Sequence, residues 1–240
     1  HRVAARNHPL WAPNSLTDFQ NLMFQDLGIG EQIGADFHRN ATEDYDFTDW
    51  FGVPLRWCVS AGGATNTPNT HLLEDITQWE QVIKFPVLSN WDWQTKADEF
   101  LKNEYDPKKV LQIDLHNGVI QRLIAVLGGY TEGMLALAVE PDAVRDFLDR
   151  FADFTIEYFD LIFSLYPVDM VTYHDDWGTE RDTFFSEKMM EEIVYAPTKR
   201  IVDHIKSKNI LFEFHCCGSV GRFIPYMIDL KMDFLQLQRR

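Results

Sequence analysis

Cysteine is scarce in this chain, with three in 240 residues at Cys58, Cys216 and Cys217. So few cysteines do not make the disulfide framework of a small secreted domain, and no secretory pattern opens the sequence. A reducing cytoplasm is therefore the expected compartment. Positive charge is also thin. Lys and Arg total 22 against 37 Asp and Glu, for a formal net charge of −15. Such a surface repels nucleic acid and anionic lipid, and neither is expected as a partner. No apolar run approaches a membrane span. Repeats, low-complexity tracts and Gly/Ser linkers are missing too. Hydrophobic residues are plentiful, at 45%, with 18 Phe, 8 Tyr and 7 Trp. They suit a large core, or an aromatic-walled pocket.

The first 70 or so residues show little regular pattern and read as an irregular wrap. Within them, "SLTDFQNLMFQDLG" has helical spacing, with Ser15 as cap and Gly28 as stop. "DYDFTDWFGVPLRWCVS" reads as strand pieces broken at Gly52 and Pro54, and "SAGGATNTPNT" as a plain loop. From residue 71 the pattern is regular. Helices are expected over "LLEDITQWEQVIKF", "WQTKADEFLKNEY", "VIQRLIAVLGG" and "EPDAVRDFLDRFADFTIEYFDLIFSLY". Two more follow over "SEKMMEEIVYAPTKRIVDHIKSKN", kinked at Pro197, and "RFIPYMIDLK". Strands are expected at "KVLQIDL", "VDMVTY", "ILFEFH" and "MDFLQLQ". Alternating strands and helices imply βα units on a parallel sheet. The expectation is one domain over residues 1–240, a distorted (β/α)8 barrel of the TIM type. A full barrel takes about 250 residues. This chain stops just after a strand, so its last units are expected to be missing.

Ligands of such folds sit beyond the carboxyl ends of the strands. Three strand ends are unusually polar. At the first, Asp114, His116 and Asn117 are candidate cofactor contacts, although they equally suit a capping turn before Val119. At the second, His174, Asp175 and Asp176 are candidate catalytic residues, since adjacent carboxylates beside a histidine at a buried strand end are costly without a purpose. Gly178 is expected to let the backbone approach something closely. At the third, "FEFHCCG", period-two alternation sends Glu213, His215 and Cys217 to one face and Phe212, Phe214 and Cys216 to the other. Imidazole and thiolate suit Zn²⁺, but His-x-Cys by itself serves a packed strand end equally well.

The residues from Tyr173 to Gln238 resemble the uroporphyrinogen decarboxylase superfamily, and more closely its corrinoid-linked methyltransferase branch. The features that carry this are a D-D-x-G loop, F-x-S before a helix, P-x-x-K/R, an H-x-C-G strand end and "DFLQLQ". "FTDWFGVPLRW" and "LGGYTEGMLALAVEPDAVRDFLDRFADF" extend the likeness upstream. The resemblance implies a distorted barrel with zinc on His215, Cys217 and a later cysteine that has no counterpart before Arg240. Glu213, Asp176 or His174 could complete the set instead. It implies a zinc-dependent methyltransferase that moves a methyl group between a small donor and a corrinoid carried by a partner protein, or a thiol or folate acceptor. Decarboxylation of uroporphyrinogen is the second reading, against which stands the missing N-terminal arginine motif. A non-catalytic corrinoid- or metal-binding barrel is the third.

Overall fold

The computed structural model describes residues 19–23, 42–115 and 117–238. Its centre is a five-stranded parallel sheet. The strands are β1 (Phe19–Met23), β5 (Val110–Leu115), β6 (Met170–His174), β7 (Leu211–Cys217) and β8 (Phe234–Gln238), in the spatial order β1-β5-β6-β7-β8. From β5 onward each strand lies beside the next in sequence, so the winding runs in one direction without the reversal of a doubly wound sheet. A separate antiparallel sheet joins β2 (Tyr45–Thr48), β3 (Pro54–Cys58) and β4 (Gly63–Asn66) in that order.

The helices are α1 (Trp93–Asn103), α2 (Val119–Leu127), α3 (Tyr130–Val139), α4 (Pro141–Leu165), α5 (Tyr195–Ser207) and α6 (Ile224–Asp229). The α2 helix follows β5 directly and closes on Gly128, whose φ of 90° is the left-handed cap that glycine adopts without strain. The 25-residue α4 starts with Pro141 in its first turn, where a missing N–H costs nothing. Its buried stripe includes Val144, Phe147, Phe151, Phe154 and Tyr158. Phe212, Phe214 and Cys216 of β7 are fully buried in the same core. Carboxylates pin the strand starts. Asp169 accepts from Leu111 N at 2.9 Å, and Asp233 from Phe212 N at 2.9 Å.

Several local expectations need correction. The helix expected over residues 15–28 is a strand where it is described, at Phe19–Met23. Pairing with β5 overrides the local helical spacing, and Ser15 and Gly28 lie outside the described residues. The glycine-rich "GATN" is not plain loop but β4, held by backbone pairing to β3. The helix expected from Leu72 to Phe85 is only a 3₁₀ turn (Ile76–Gln78) and one helical turn (Trp79–Val82). The disturbance expected at Pro197 falls one turn earlier, as a π turn over Met190–Val194. The strand expected to end at His215 continues through Cys217. Helix α3 has no polar face, so its residues carry no amphipathic signal in the sequence. No single helix among the described residues is long and apolar enough to cross a membrane.

Candidate metal centre

The inner face of the sheet is polar. In register, Asp114 on β5 lies beside Thr172 on β6 and Glu213 on β7. Nearer the carboxyl ends, His174 lies beside His215 and then Gln236 on β8. Alternation along β7 is as expected from the sequence: Glu213, His215 and Cys217 are half-buried on this face, while Phe212, Phe214 and Cys216 are buried on the other.

Two loops complete the mouth. Beyond β6 the chain runs through Asp175–Thr179, and beyond β7 through Gly218–Val220. They touch by backbone, with Ser219 N donating to Thr179 O at 2.6 Å. Gly218 has φ 91°, and a Cβ there would stand 2.2 Å from the Gly178 carbonyl oxygen. A Cβ on Gly178 would stand 2.9 Å from the Ser219 carbonyl oxygen. The close approach expected of Gly178 is therefore to the neighbouring loop.

This contact carries Asp176 to β7. Its Oδ1 accepts from Cys217 N at 2.7 Å, and its Oδ2 from Gln121 Nε2 at 2.9 Å. Asp176, His215 and Cys217 then form a group whose possible ligand atoms all lie within 4.8 Å of one another. Cys217 Sγ and His215 Nε2 are 3.4 Å apart. A tetrahedral zinc with Zn–S of about 2.3 Å and Zn–N of about 2.0–2.1 Å separates such atoms by about 3.6 Å, so the pair fits the ion. The donor set of sulfur, nitrogen and oxygen fits it as well.

The other sequence candidates fall elsewhere. Asp175 is fully buried and faces the helices. It accepts from Ile120 N at 3.2 Å, Gln121 N at 2.8 Å and Trp177 Nε1 at 2.7 Å, and so caps the start of α2. Burial pushes its carboxyl up to about 7, against those three donors. Glu213 stands deeper on the inner face, where it accepts from Thr172 Oγ1 at 2.8 Å, and it is not among the three grouped ligands. His174 packs against His215 with ring centroids 4.3 Å apart and ring planes tilted by 31°, and its Nε2 is 3.8 Å from the buried Asp114. Asn117 lines a small cavity with Trp50, Arg122 and Tyr158. His116 lies outside the described residues. Cys216 accepts from Trp177 N, and burial raises its thiol far above the ordinary range, so it is a core residue without thiolate character.

Three residues at the mouth were not singled out from the sequence. Gln121, in the first turn of α2, holds Asp176. Gln236 bonds His215 Nδ1. Tyr130, the first residue of α3, packs its ring 5.0 Å from Phe184. Its phenol is raised by burial and by the Asp176 charge, and a hydrogen bond from Gln121 works the other way. Alternation along "FLQLQ" was a signal for Gln236. Nothing local marks Gln121 or Tyr130.

A family model described as uroporphyrinogen decarboxylase (URO-D) matches residues 61–240, which is three quarters of the chain, and the chain belongs to that family. No curated protein matches it.

Proposed function

We propose that this member of the uroporphyrinogen decarboxylase family is a zinc-dependent methyltransferase that moves a methyl group from a small donor to a corrinoid carried by a partner protein. The observation that carries this is the convergence of Asp176, His215 and Cys217 at the strand ends. Three protein ligands with an open fourth position is the pattern of catalytic rather than structural zinc. The one-directional strand order supports an arc of a (β/α)8 barrel, whose active sites lie at this end.

Zinc bound here would supply Lewis acidity toward the donor's heteroatom or an acceptor thiol. The chain's own residues supply the rest. Asp176, His215 and Cys217 hold the ion, and Cys217 must do so as thiolate. His174 stands on the His215 ring, where a leaving heteroatom could take a proton from it, and Asp114 lies beneath it as the charge that orients it. Tyr130 and Phe184 wall one side of the opening with aromatic surface. Asp175 acts by holding α2 in place.

Decarboxylation is the competing reading within the same family. A substrate bearing many carboxylates calls for cations around it. The residues gathered on this face include the carboxylates Asp114, Asp176 and Glu213, which would repel such a substrate. The test is direct. The zinc-loaded protein is incubated with cob(I)alamin and a panel of methoxyarenes and methylamines, and methylcobalamin is followed by absorbance. In parallel, uroporphyrinogen is supplied and carbon dioxide is measured. Methyl transfer that is lost with chelator and in His215→Ala is the expected result. Carbon dioxide release indifferent to both would replace this reading with the decarboxylase.

A further inference from the structure

Each of two metal-ligand side chains proposed above is held by a glutamine from a different element. Gln236 on β8 meets His215 at Nδ1, and Gln121 on α2 meets Asp176 at Oδ2. We infer that Gln236 and Gln121 are the positioning residues of this centre, and that they work in opposite senses: Gln236 must accept a hydrogen bond and Gln121 must donate one. The inference rests on the zinc reading of Asp176, His215 and Cys217.

The senses follow from the geometry. His215 turns Nε2 toward Cys217 Sγ at 3.4 Å, so Nε2 is the nitrogen that faces the ion. A neutral imidazole that ligates through Nε2 carries its proton on Nδ1, and Nδ1–H needs an acceptor. The Gln236 carboxamide oxygen is that acceptor. It fixes both the ring rotation and the tautomer. Gln236 gets there because the β7–β8 register places it directly beside His215.

Asp176 has the converse need. Its Oδ1 is taken by the Cys217 amide at 2.7 Å, so Oδ2 is the oxygen left to be aimed from the side. Gln121 Nε2 donates to it at 2.9 Å. Gln121 is itself held, because its backbone N–H donates to Asp175 at 2.8 Å. Adjacent aspartates thus grip one residue twice. Asp175 takes the main chain of Gln121, and the side chain of Gln121 steadies Asp176. This gives the paired carboxylates distinct tasks that act on a single ligand.

Zinc affinity of the full chain, by chelator competition, separates the possibilities when run on Gln236→Leu, Gln236→Glu, Gln121→Leu and Gln121→Glu. Partners that orient metal ligands are typically worth about 10- to 100-fold in affinity. Gln236→Leu should lose affinity on that scale, whereas Gln236→Glu, which still accepts from Nδ1–H, should retain it. Both Gln121 variants should lose it, and Gln121→Glu more, because it sets a second carboxylate against Asp176. The Co²⁺-loaded proteins add a readout that mere unfolding would not move: altered ligand-field bands in Gln236→Leu and Gln121→Leu, and a near-native spectrum in Gln236→Glu. Circular dichroism confirms that each variant is folded. Should wild type bind no zinc, the metal reading itself fails. Should wild type bind and the leucine variants bind within twofold of it, or Gln236→Glu fall with Gln236→Leu, the positioning roles are wrong.

Discussion

Replacing Asp175 by alanine is expected to damage the fold, while replacing Asp176 is expected to damage the centre. Asp175 is fully buried and receives three N–H groups, from Ile120, Gln121 and Trp177. Alanine leaves all three without their acceptor. At about 1 kcal/mol per stranded donor, the low end of the usual range, Asp175→Ala loses about 3 kcal/mol. A typical domain has only about 5–15 kcal/mol to lose. Asp176 is half-buried and its two donors lie nearer water, so Asp176→Ala should lose less than half as much. Urea unfolding of the chelated protein at pH 5, where most of the Asp175 contribution is still present, measures both. The pH dependence carries its own sign. Burial raises the Asp175 carboxyl to about 7, against an unfolded value near 3.9. A raised carboxyl binds its proton more tightly when folded, so its contribution is complete below about pH 4 and is lost as pH rises through 7. Three units bound that loss at about 4 kcal/mol. Wild-type stability minus that of Asp175→Asn should therefore fall between pH 4 and pH 8. An Asp175→Ala protein within 1 kcal/mol of wild type, or a difference curve that rises with pH, would refute the capping role.

Arg122 and Asp49 form a buried ion pair at 2.5 Å, with side chains 3% and 8% exposed, and Arg122 also lies 4.2 Å over the Phe51 ring. Arg122→Met leaves the buried Asp49 charge without its cation, held only by the Phe51 and Val53 N–H groups, and should cost about 3–5 kcal/mol, of which a combined Asp49→Asn variant recovers part in thermal unfolding. In a Cys58→Ser background, iodoacetamide should label Cys217 and spare buried Cys216, and zinc should protect Cys217; mass spectrometry of the labelled peptides reads this out. Gly218→Ala drives a Cβ against the Gly178 carbonyl and strains a left-handed residue, so urea unfolding should show a loss above about 2 kcal/mol. Zinc affinity should drop with it, because this contact brings Asp176 to Cys217.

The positions of β5, β6, β7 and β8 and of most helices were legible because apolar periodicity and flanking glycine or proline report burial locally. The failures share a cause. The stretch Phe19–Met23 has helical spacing, yet is a strand because β5 offers five residues of parallel pairing. "GATN" carries no strand signal of its own and is ordered by β3. Long-range partners decided both, and a sequence window does not contain them. The same holds for Gln121, which reaches the centre only because α2 packs against the loop after β6.

The two aspartates make a different case, since their separation was readable. Period-two alternation assigned His215 and Cys217 to the inner face of β7, and the same rule continues past β6. Tyr173 is buried on the outer face and His174 lies on the inner one. The next step outward gives Asp175, which caps α2, and the next inward gives Asp176, which joins His215 and Cys217. In the sequence, "HDD" offers three candidate catalytic residues, of which His174 and Asp176 are also possible zinc ligands. Alternation divides the two carboxylates, the outward one facing the N–H groups of α2 and the inward one facing His215 and Cys217. It also brings Asp176, rather than Glu213, to the group with His215 and Cys217. Glu213 shares the face, but it lies two residues before His215, down the strand from the mouth, whereas Asp176 follows His174 out to the level of Cys217.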